Sequence, residues 1–584
     1  MYKPRLYELD KDRELITLFK GYDCNTVIDE NSFNDELNMS SDSYPALSPR
    51  NKRAFFNVQG KDISPLHSKS KICYVKDGYL YYGGEKIESC YLGDSAIPRS
   101  FVSMGARIII FPDKVYVNTN DFSDYGNLES FFTGEGAVCS MCRSDGTAYG
   151  DYTISDIAPT SPENGDLWLD TSEEQHALKQ YSESMGMWVD TADVFVRIQC
   201  VGIGAGFDLE DGVFLEGFES IGFDGAHIIR DKGDDYITIS GVLKNAVTID
   251  NTIKVSRTIP DMEFVCESGN RLWGCSSENN EIYASKLGDP TNFNSFRGIS
   301  TDSYAVSVGS DGEFTAAINY RGYILFFKEN CVHKIYGSNP PYTITTSYIR
   351  GVQKGSHGSL VCINESLYYK SPVGVCAYEG GIPINISTAL GNRYYTEAVG
   401  GSYMNKYYVC MTDVKGERNL FVFDTEKRIW HKEDNIDIRS FAVNNCNLYF
   451  TEKTSDGYRL GVIDGENMYG NFTDELSGFT LEEDFPWYAM SGLWGLGLPE
   501  NKYYGNLLIR ASGEKHSSMK ISCDINSENL FRDFGETKID KTGSVPFPVT
   551  TPRCDHLRLL IEGKGKVTIY SLMRKIESGS DIYV

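Results

Sequence analysis

Tyr323-Ile324-Leu325-Phe326-Phe327, the polar turn at 328–331 and Val332-His333-Lys334-Ile335-Tyr336 set the pattern of this chain. Two apolar, aromatic-rich strands flank a short polar turn, which reads as a hairpin buried on both faces. The pattern returns at Leu367-Tyr368-Tyr369 with 375–378, at 406–411 with 419–424, and at 447–450 with 458–464. From Tyr323 to Leu367, on to Tyr407 and on to Leu448 the steps are 44, 40 and 41 residues. A period of that length around a strand–turn–strand centre suits four-stranded propeller blades. Toward the N-terminus the same hairpin stands at 78–87, 107–117 and 271–285. Seven copies predict an all-β fold, a β-propeller of about seven blades. The alternative is a run of unrelated meanders in two sandwiches, which leaves the sustained period unexplained.

Composition agrees with an all-β reading. The 584 residues include 38 Tyr and 30 Phe, while long Ala/Leu/Glu/Lys runs at helical period are missing. The one helix candidate is short and lies near 11–19. At roughly 100–200 residues per domain the chain holds several units or one large repeat architecture with additions. The hairpin period fails between Val117 and Arg271, where the extra material has its own order. A three-stranded meander is expected from Leu167-Trp168-Leu169, Leu178-Lys179-Gln180-Tyr181 and Met187-Trp188-Val189, followed by Gly-rich 202–206 and a β-rich stretch at 217–257. The expected organisation is an extended N-terminal arm at 1–50, a first propeller part at 51–141 and an inserted β-rich domain at 142–258. The second propeller part then runs over 259–475, and a C-terminal β-sandwich-like domain over 476–584.

Charge and motifs exclude much. The chain carries 56 Lys+Arg against 81 Asp+Glu, a formal −25 with a pI near 4.8. Gripping nucleic acid or an anionic membrane surface needs clustered cations. No apolar stretch approaches a membrane span and no signal-peptide pattern opens the chain, so no membrane insertion is expected. The 15 scattered cysteines suit buried thiols of a protein folded in a cytoplasm. Cys139 and Cys142 form a C-x-x-C with no second pair to complete a zinc site. Gly202–Gly206 lacks the Lys-Ser/Thr of a phosphate loop, and a calcium-loop start at Asp121 has Phe132 where the twelfth position needs Glu. The eight histidines show no zinc-hydrolase spacing. No catalytic residue, cofactor or metal site is expected, and the chain is not expected to be an enzyme. A propeller glycosidase is the third-ranked possibility, since carboxylates and aromatics are present but too general to discriminate. Trp168, Tyr181 and Trp188 are the candidate contact residues for a glycan or partner. A small meander also needs large aromatics for its own core, and that reading is favoured.

Several phrases resemble a known group. Asn38-Met39 with SSDSYPALSPR resembles the start of phage tail proteins whose arm precedes a propeller. Arg271-Leu272-Trp273-Gly274-Cys275 with Ile282-Tyr283-Ala284-Ser285 and GDPTNF at 288–293 looks like a strand and turn of that group. Phe326-Phe327-Lys328-Glu329-Asn330 with His333-Lys334-Ile335-Tyr336-Gly337 is similar to another of its blades. GDLWLDT at 165–171 with Trp188 resembles hairpin modules of phage tail and fibre proteins. The group is the tail nozzle, or tail tubular protein B, family of short-tailed phages. The resemblance implies a virion structural protein in the tail or neck, assembled in the host cytoplasm. It implies a homo-oligomeric ring, usually a hexamer, with portal or adaptor and tail fibre proteins as partners and DNA passing without sticking. The C-terminal β domain departs from that pattern. The alternative function is a receptor- or glycan-binding virion adhesin.

Overall fold

The computed structural model describes residues 13–93, 98–173, 176–296, 298–469, 476, 478–497 and 499–578. Among them strands dominate, and helical pieces are three-residue turns at Glu219–Ile221, His357–Ser359 and Thr388–Leu390. Six of the hairpins lie in four-stranded meanders, as the central pair except at 78–87, which forms the third and fourth strands, Tyr79–Tyr82 and Glu85–Tyr91. These sheets run from His67–Lys69 to Glu85–Tyr91, Ser100–Met104 to Tyr125–Asn127, Phe264–Ser268 to Tyr304–Ser307, Phe314–Tyr320 to Thr343–Ser347, Val361–Ile363 to Ile384–Asn385, and Tyr395–Tyr403 to Ile429–Lys432. The seventh sheet has five strands, in the order Ile438–Asn444, Asn447–Thr454, Gly457–Val462, Ala54–Gly60 and Phe479–Leu481. The fold is all-β and of propeller type. Second strands such as Arg271–Ser276 and third strands such as Arg418–Asp424 are buried along their whole length. Burial on both faces explains why they read as unbroken apolar runs rather than alternating ones.

Two compact units divide the chain: Met1–Arg99 with Leu325–His333 and Thr346–Val584, and Ser100–Ile324 with Lys334–Thr345. In the first unit the C-terminal region is a sandwich of two five-stranded sheets. One sheet orders Phe33–Leu37, Pro486–Trp494, Leu557–Lys564, Ser517–Ile525 and Arg532–Ile539. The other contains Arg13–Ile16, Val567–Ser578, Leu507–Gly513 and Gly543–Phe547, with Lys502–Tyr504 beside them. Trp487, Ile521, Leu559, Ile509 and Ile569 lie in one core between them. The helix expected near 11–19 is instead the strand Arg13–Ile16, paired antiparallel with Leu572–Lys575 (residues 11 and 12 lie outside the described residues). Its ladder to a distant strand outweighs a weak local preference. The expected arm is likewise woven in. Phe33–Leu37 adds to a sandwich sheet, and the Tyr22 amide donates to the Trp430 carbonyl at 2.7 Å.

An eight-stranded sheet distinguishes the second unit, ordered Ser130–Gly134, Ile253–Arg257, Gly212–Glu216, Gly225–Gly233, Tyr236–Ser240, Phe195–Gln199, Ala137–Cys142 and Val247–Ile249. All eight strands send side chains into one core containing Cys139, Ile198, Leu215, Ile229, Ile239 and Val255. A sheet whose strands share one interior is rolled on itself. It takes strands from 130 onward, ahead of the expected start at 142. The small meander is a four-stranded sheet, with Thr153–Ser155 added parallel to Leu167–Asp170.

Candidate functional site

The small sheet has two unlike faces because strand residues alternate. Leu169 faces Leu178 across the ladder, and both pack with Met141 and Val194. Trp168 faces Lys179, and Tyr181 faces Trp188, on the opposite side. The Trp168 and Trp188 rings meet edge to face at 5.5 Å, and Tyr181 meets Trp188 at 5.4 Å. The aromatic row therefore lies on the side turned away from the leucine core, contrary to the expectation that it is the meander's core. Trp168 is buried within the row, its indole N–H donating to the Ser155 carbonyl at 3.0 Å, while Tyr181 and Trp188 are half-buried. Polar groups border it. Lys179 Nζ stands 5.2 Å from the Trp168 ring centre and 2.8 Å from Asp170. The Lys179 ammonium, then the Ser172 hydroxyl and amide, hold the Asp170 carboxyl at about 2. The half-buried Tyr181 and Trp188 rings, edged by a fixed carboxylate, are the part of the row suited to being covered by a sugar ring.

A second concavity of about 680 Å³ lies on the rolled sheet. Phe214, Ile228, Arg230 and Ser256 line it from neighbouring strands, and Asn294 and Phe296 come from the loop that follows Glu281–Ala284. Gly212 permits the approach of that loop, since a Cβ there would lie 2.3 Å from the Asn294 Cβ. His227 borders the groove with its Nε2 3.0 Å from the Phe223 carbonyl. Burial pulls its imidazole below the usual histidine range, against that carbonyl. Nothing in the sequence marked this groove as a whole.

The remaining motifs resolve as structure. Cys139 and Cys142 sit on one strand at a spacing that puts them on opposite faces, and burial pushes the Cys139 thiol up to about 12. Gly204 allows close backbone contact, for a Cβ there would lie 2.0 Å from the Gly233 carbonyl. Asp121 accepts from the Ser123 amide and hydroxyl, forming a turn. Buried Cys331 and His333 lie 3.8 Å apart, and His333 Nδ1 is 2.9 Å from the Thr346 hydroxyl. Burial, then Lys328, brings that imidazole down to about 4. No group of three or more metal-ligating side chains occurs among the described residues.

No protein-family model matches the chain, and no curated protein matches it in sequence. Solved structures do. An exo-β-1,3-galactanase from Phanerochaete chrysosporium is 8% identical over 53% of this chain and 94% of its own, with a TM-score of 0.21. The β-propeller domain of the Trilobed protease from Pyrococcus furiosus is 11% identical over 71% and 99%, with a TM-score of 0.25. A GH43 glycoside hydrolase is 8% identical over 55% and 98%, with a TM-score of 0.19. The likeness is one of fold. It corrects the expectation that the chain is not an enzyme, because glycoside hydrolases stand among the structures it resembles.

Proposed function

We propose that the chain is a structural protein of a bacteriophage virion, a ring-forming tail nozzle or neck component that lines part of the DNA-ejection conduit and carries fibres. The observation that supports this most is where its cations are. Among the described residues eleven Lys and Arg side chains are buried, against seven Asp and Glu. Several buried cations are held by backbone carbonyls. Arg271 donates to the Ser285 and Ser300 carbonyls, both at 2.7 Å, and Arg418 to the Glu397 carbonyl at 2.6 Å and the Ile438 carbonyl at 2.5 Å. Buried cations thus outnumber buried acids by four, and the remaining residues together are more acidic than the formal −25. An acidic wall repels phosphates and lets DNA slide.

Negative-stain microscopy and light scattering of the purified chain, alone and with its portal or adaptor partner, test the reading. Rings are expected, with no retention of duplex DNA even at about 50 mM salt. A monomer in every mixture, or tight DNA binding, refutes it. The aromatic row favours a second reading, an adhesin whose Trp168, Tyr181 and Trp188 contact a glycan. Saturable binding on a glycan array, lost in Trp188→Ala, would support it.

A further inference from the structure

The groove on the rolled sheet is built unlike the rest of this protein. In a chain with 81 acidic residues, none of the described side chains lining it is a carboxylate. Arg230 lies in it, and among the described residues its one hydrogen bond is from Nε to the Ser240 hydroxyl at 3.4 Å. The terminal nitrogens of the guanidinium thus keep their donors for a ligand, in the fork geometry that fits a carboxylate. Phe214 and Phe296, 48% and 58% exposed, offer apolar ring faces to the groove, where single large aromatics gain by being covered. Ser256, Thr258 and Asn294 supply hydroxyls and an amide. These groups both donate and accept, as sugar hydroxyls do.

The combination defines a ligand class. One guanidinium balances one negative charge. A nucleotide or polyphosphate carries more, and needs further cations or a helix N-terminus that the lining lacks among the described residues. A purely apolar ligand would leave the arginine and hydroxyls unmatched. The groove's volume falls within the range of small-ligand sites. We propose that it binds an acidic sugar residue, a hexuronic or nonulosonic acid. Arg230 holds the carboxylate, Phe214 and Phe296 cover the ring's C–H face, and Ser256, Thr258 and Asn294 meet its hydroxyls. This site is separate from the aromatic row and does not depend on the conduit reading.

Titration of the full chain by calorimetry, with saturation-transfer NMR, uses four probes: methyl glucuronoside, N-acetylneuraminic acid, the methyl ester of the first, and methyl glucoside. At least one acid is expected to bind saturably, with the corresponding ester or neutral sugar about tenfold weaker or more. Arg230→Gln should remove that preference, and Phe296→Ala should weaken all binding. Each variant's melting curve should match the parent's. Equal affinity for acid and neutral sugar, a preference that survives Arg230→Gln, or no binding of either acid at about 10 mM overturns the proposal. Binding abolished by Trp188→Ala but not by Arg230→Gln would assign the sugar to the aromatic row and overturn it as well.

Discussion

Arg53→Met should be among the most damaging single substitutions in the first unit. The Arg53 side chain is 2% exposed and reaches two carboxylates at once. It lies 2.6 Å from Glu433 and 2.7 and 3.1 Å from the two oxygens of Asp434. Beside it, Arg50 forks onto Glu482 at 2.7 and 3.0 Å, stacks over the Phe485 ring at 4.0 Å, and stands 3.7 Å from Glu433. Without Arg53, Asp434 can recruit water, since its side chain is 21% exposed, whereas Glu433 at 3% cannot. One buried carboxylate is then left with only a distant partner. Breaking a buried pair in this way costs about 3–5 kcal/mol. At about 1.4 °C per kcal/mol for a unit of roughly 350 residues, the melting midpoint should fall by about 4–7 °C at pH 7.

The sign of the pH dependence follows from the same geometry. Burial already raises the Glu433 carboxyl against the pull of Arg53 and Arg50. In Arg53→Met it rises further, so the site takes up a proton as pH falls and the penalty shrinks between pH 7 and about pH 5. Adding Glu433→Leu should recover most of the loss, because an apolar replacement of both partners is often near neutral. Chemical denaturation of parent, single and double variants at the two pH values is the assay. A loss below about 1 kcal/mol at pH 7, or a double variant as unstable as the sum of its parts, would refute the argument that Glu433 is a buried charge dependent on Arg53.

The carboxyls of Asp424, Asp434 and Glu482 sit below their usual range. Burial pushes each up, but Lys427 with Ser41, Arg53, and Arg50 respectively outweigh it. The stability they contribute is present above about pH 4 and lost as pH falls through their lower folded values, so a melting midpoint measured from pH 6 to pH 3 should drop steeply below about pH 4; a flat profile would count against these pairs. Gly21 has φ +73°, and a Cβ there would lie 2.3 Å from the Trp430 carbonyl. Gly21→Ala should therefore destabilise by about 1–3 kcal/mol and speed proteolysis of the 19–40 segment; unchanged cleavage would contradict its tight docking. A chain beginning at Lys61 loses Ala54–Gly60 from the seventh sheet and Phe33–Leu37 from the sandwich. It should fail to give a cooperative melt, and a transition like the parent's would show that these strands are dispensable.

The propeller was legible because its signal is local. A strand buried on both faces shows as a continuous apolar run, and Ile108–Phe111, Leu325–Phe327 and Val409–Met411 could be read without knowing their neighbours. Closure was not legible in the same way. Ala54–Gly60 alternates as an outer strand should, but its partner lies some 400 residues on, and alternation does not name a partner. Arg13–Ile16 was misread for a related reason: four residues of mixed character take their structure from the strand they pair with. The candidate surfaces divide likewise. Trp168, Tyr181 and Trp188 stood out by residue type, while their face became clear only from the ladder that sets Leu169 against Leu178.

The groove shows a different kind of illegibility, and it bears on where recognition arises in such chains. Gly212 and Phe214, Ile228 and Arg230, and Ser256 and Thr258 are pairs at a spacing of two, each an ordinary outward face when read alone. They become a site because the rolled sheet sets three strands side by side and the loop bearing Asn294 and Phe296 packs against Gly212. Both candidate surfaces are carried by material between or beside the repeating sheets. The sheets themselves use their charged side chains internally, as the Arg53–Glu433 cluster and the carbonyl-bound Arg271 and Arg418 do. A repeat whose centre must stay dry has little freedom to vary, whereas an inserted sheet can gain an arginine or an aromatic without disturbing it. That asymmetry predicts where substitution should separate recognition from stability. Arg230→Gln should change binding with little effect on melting, and Arg53→Met should do the reverse.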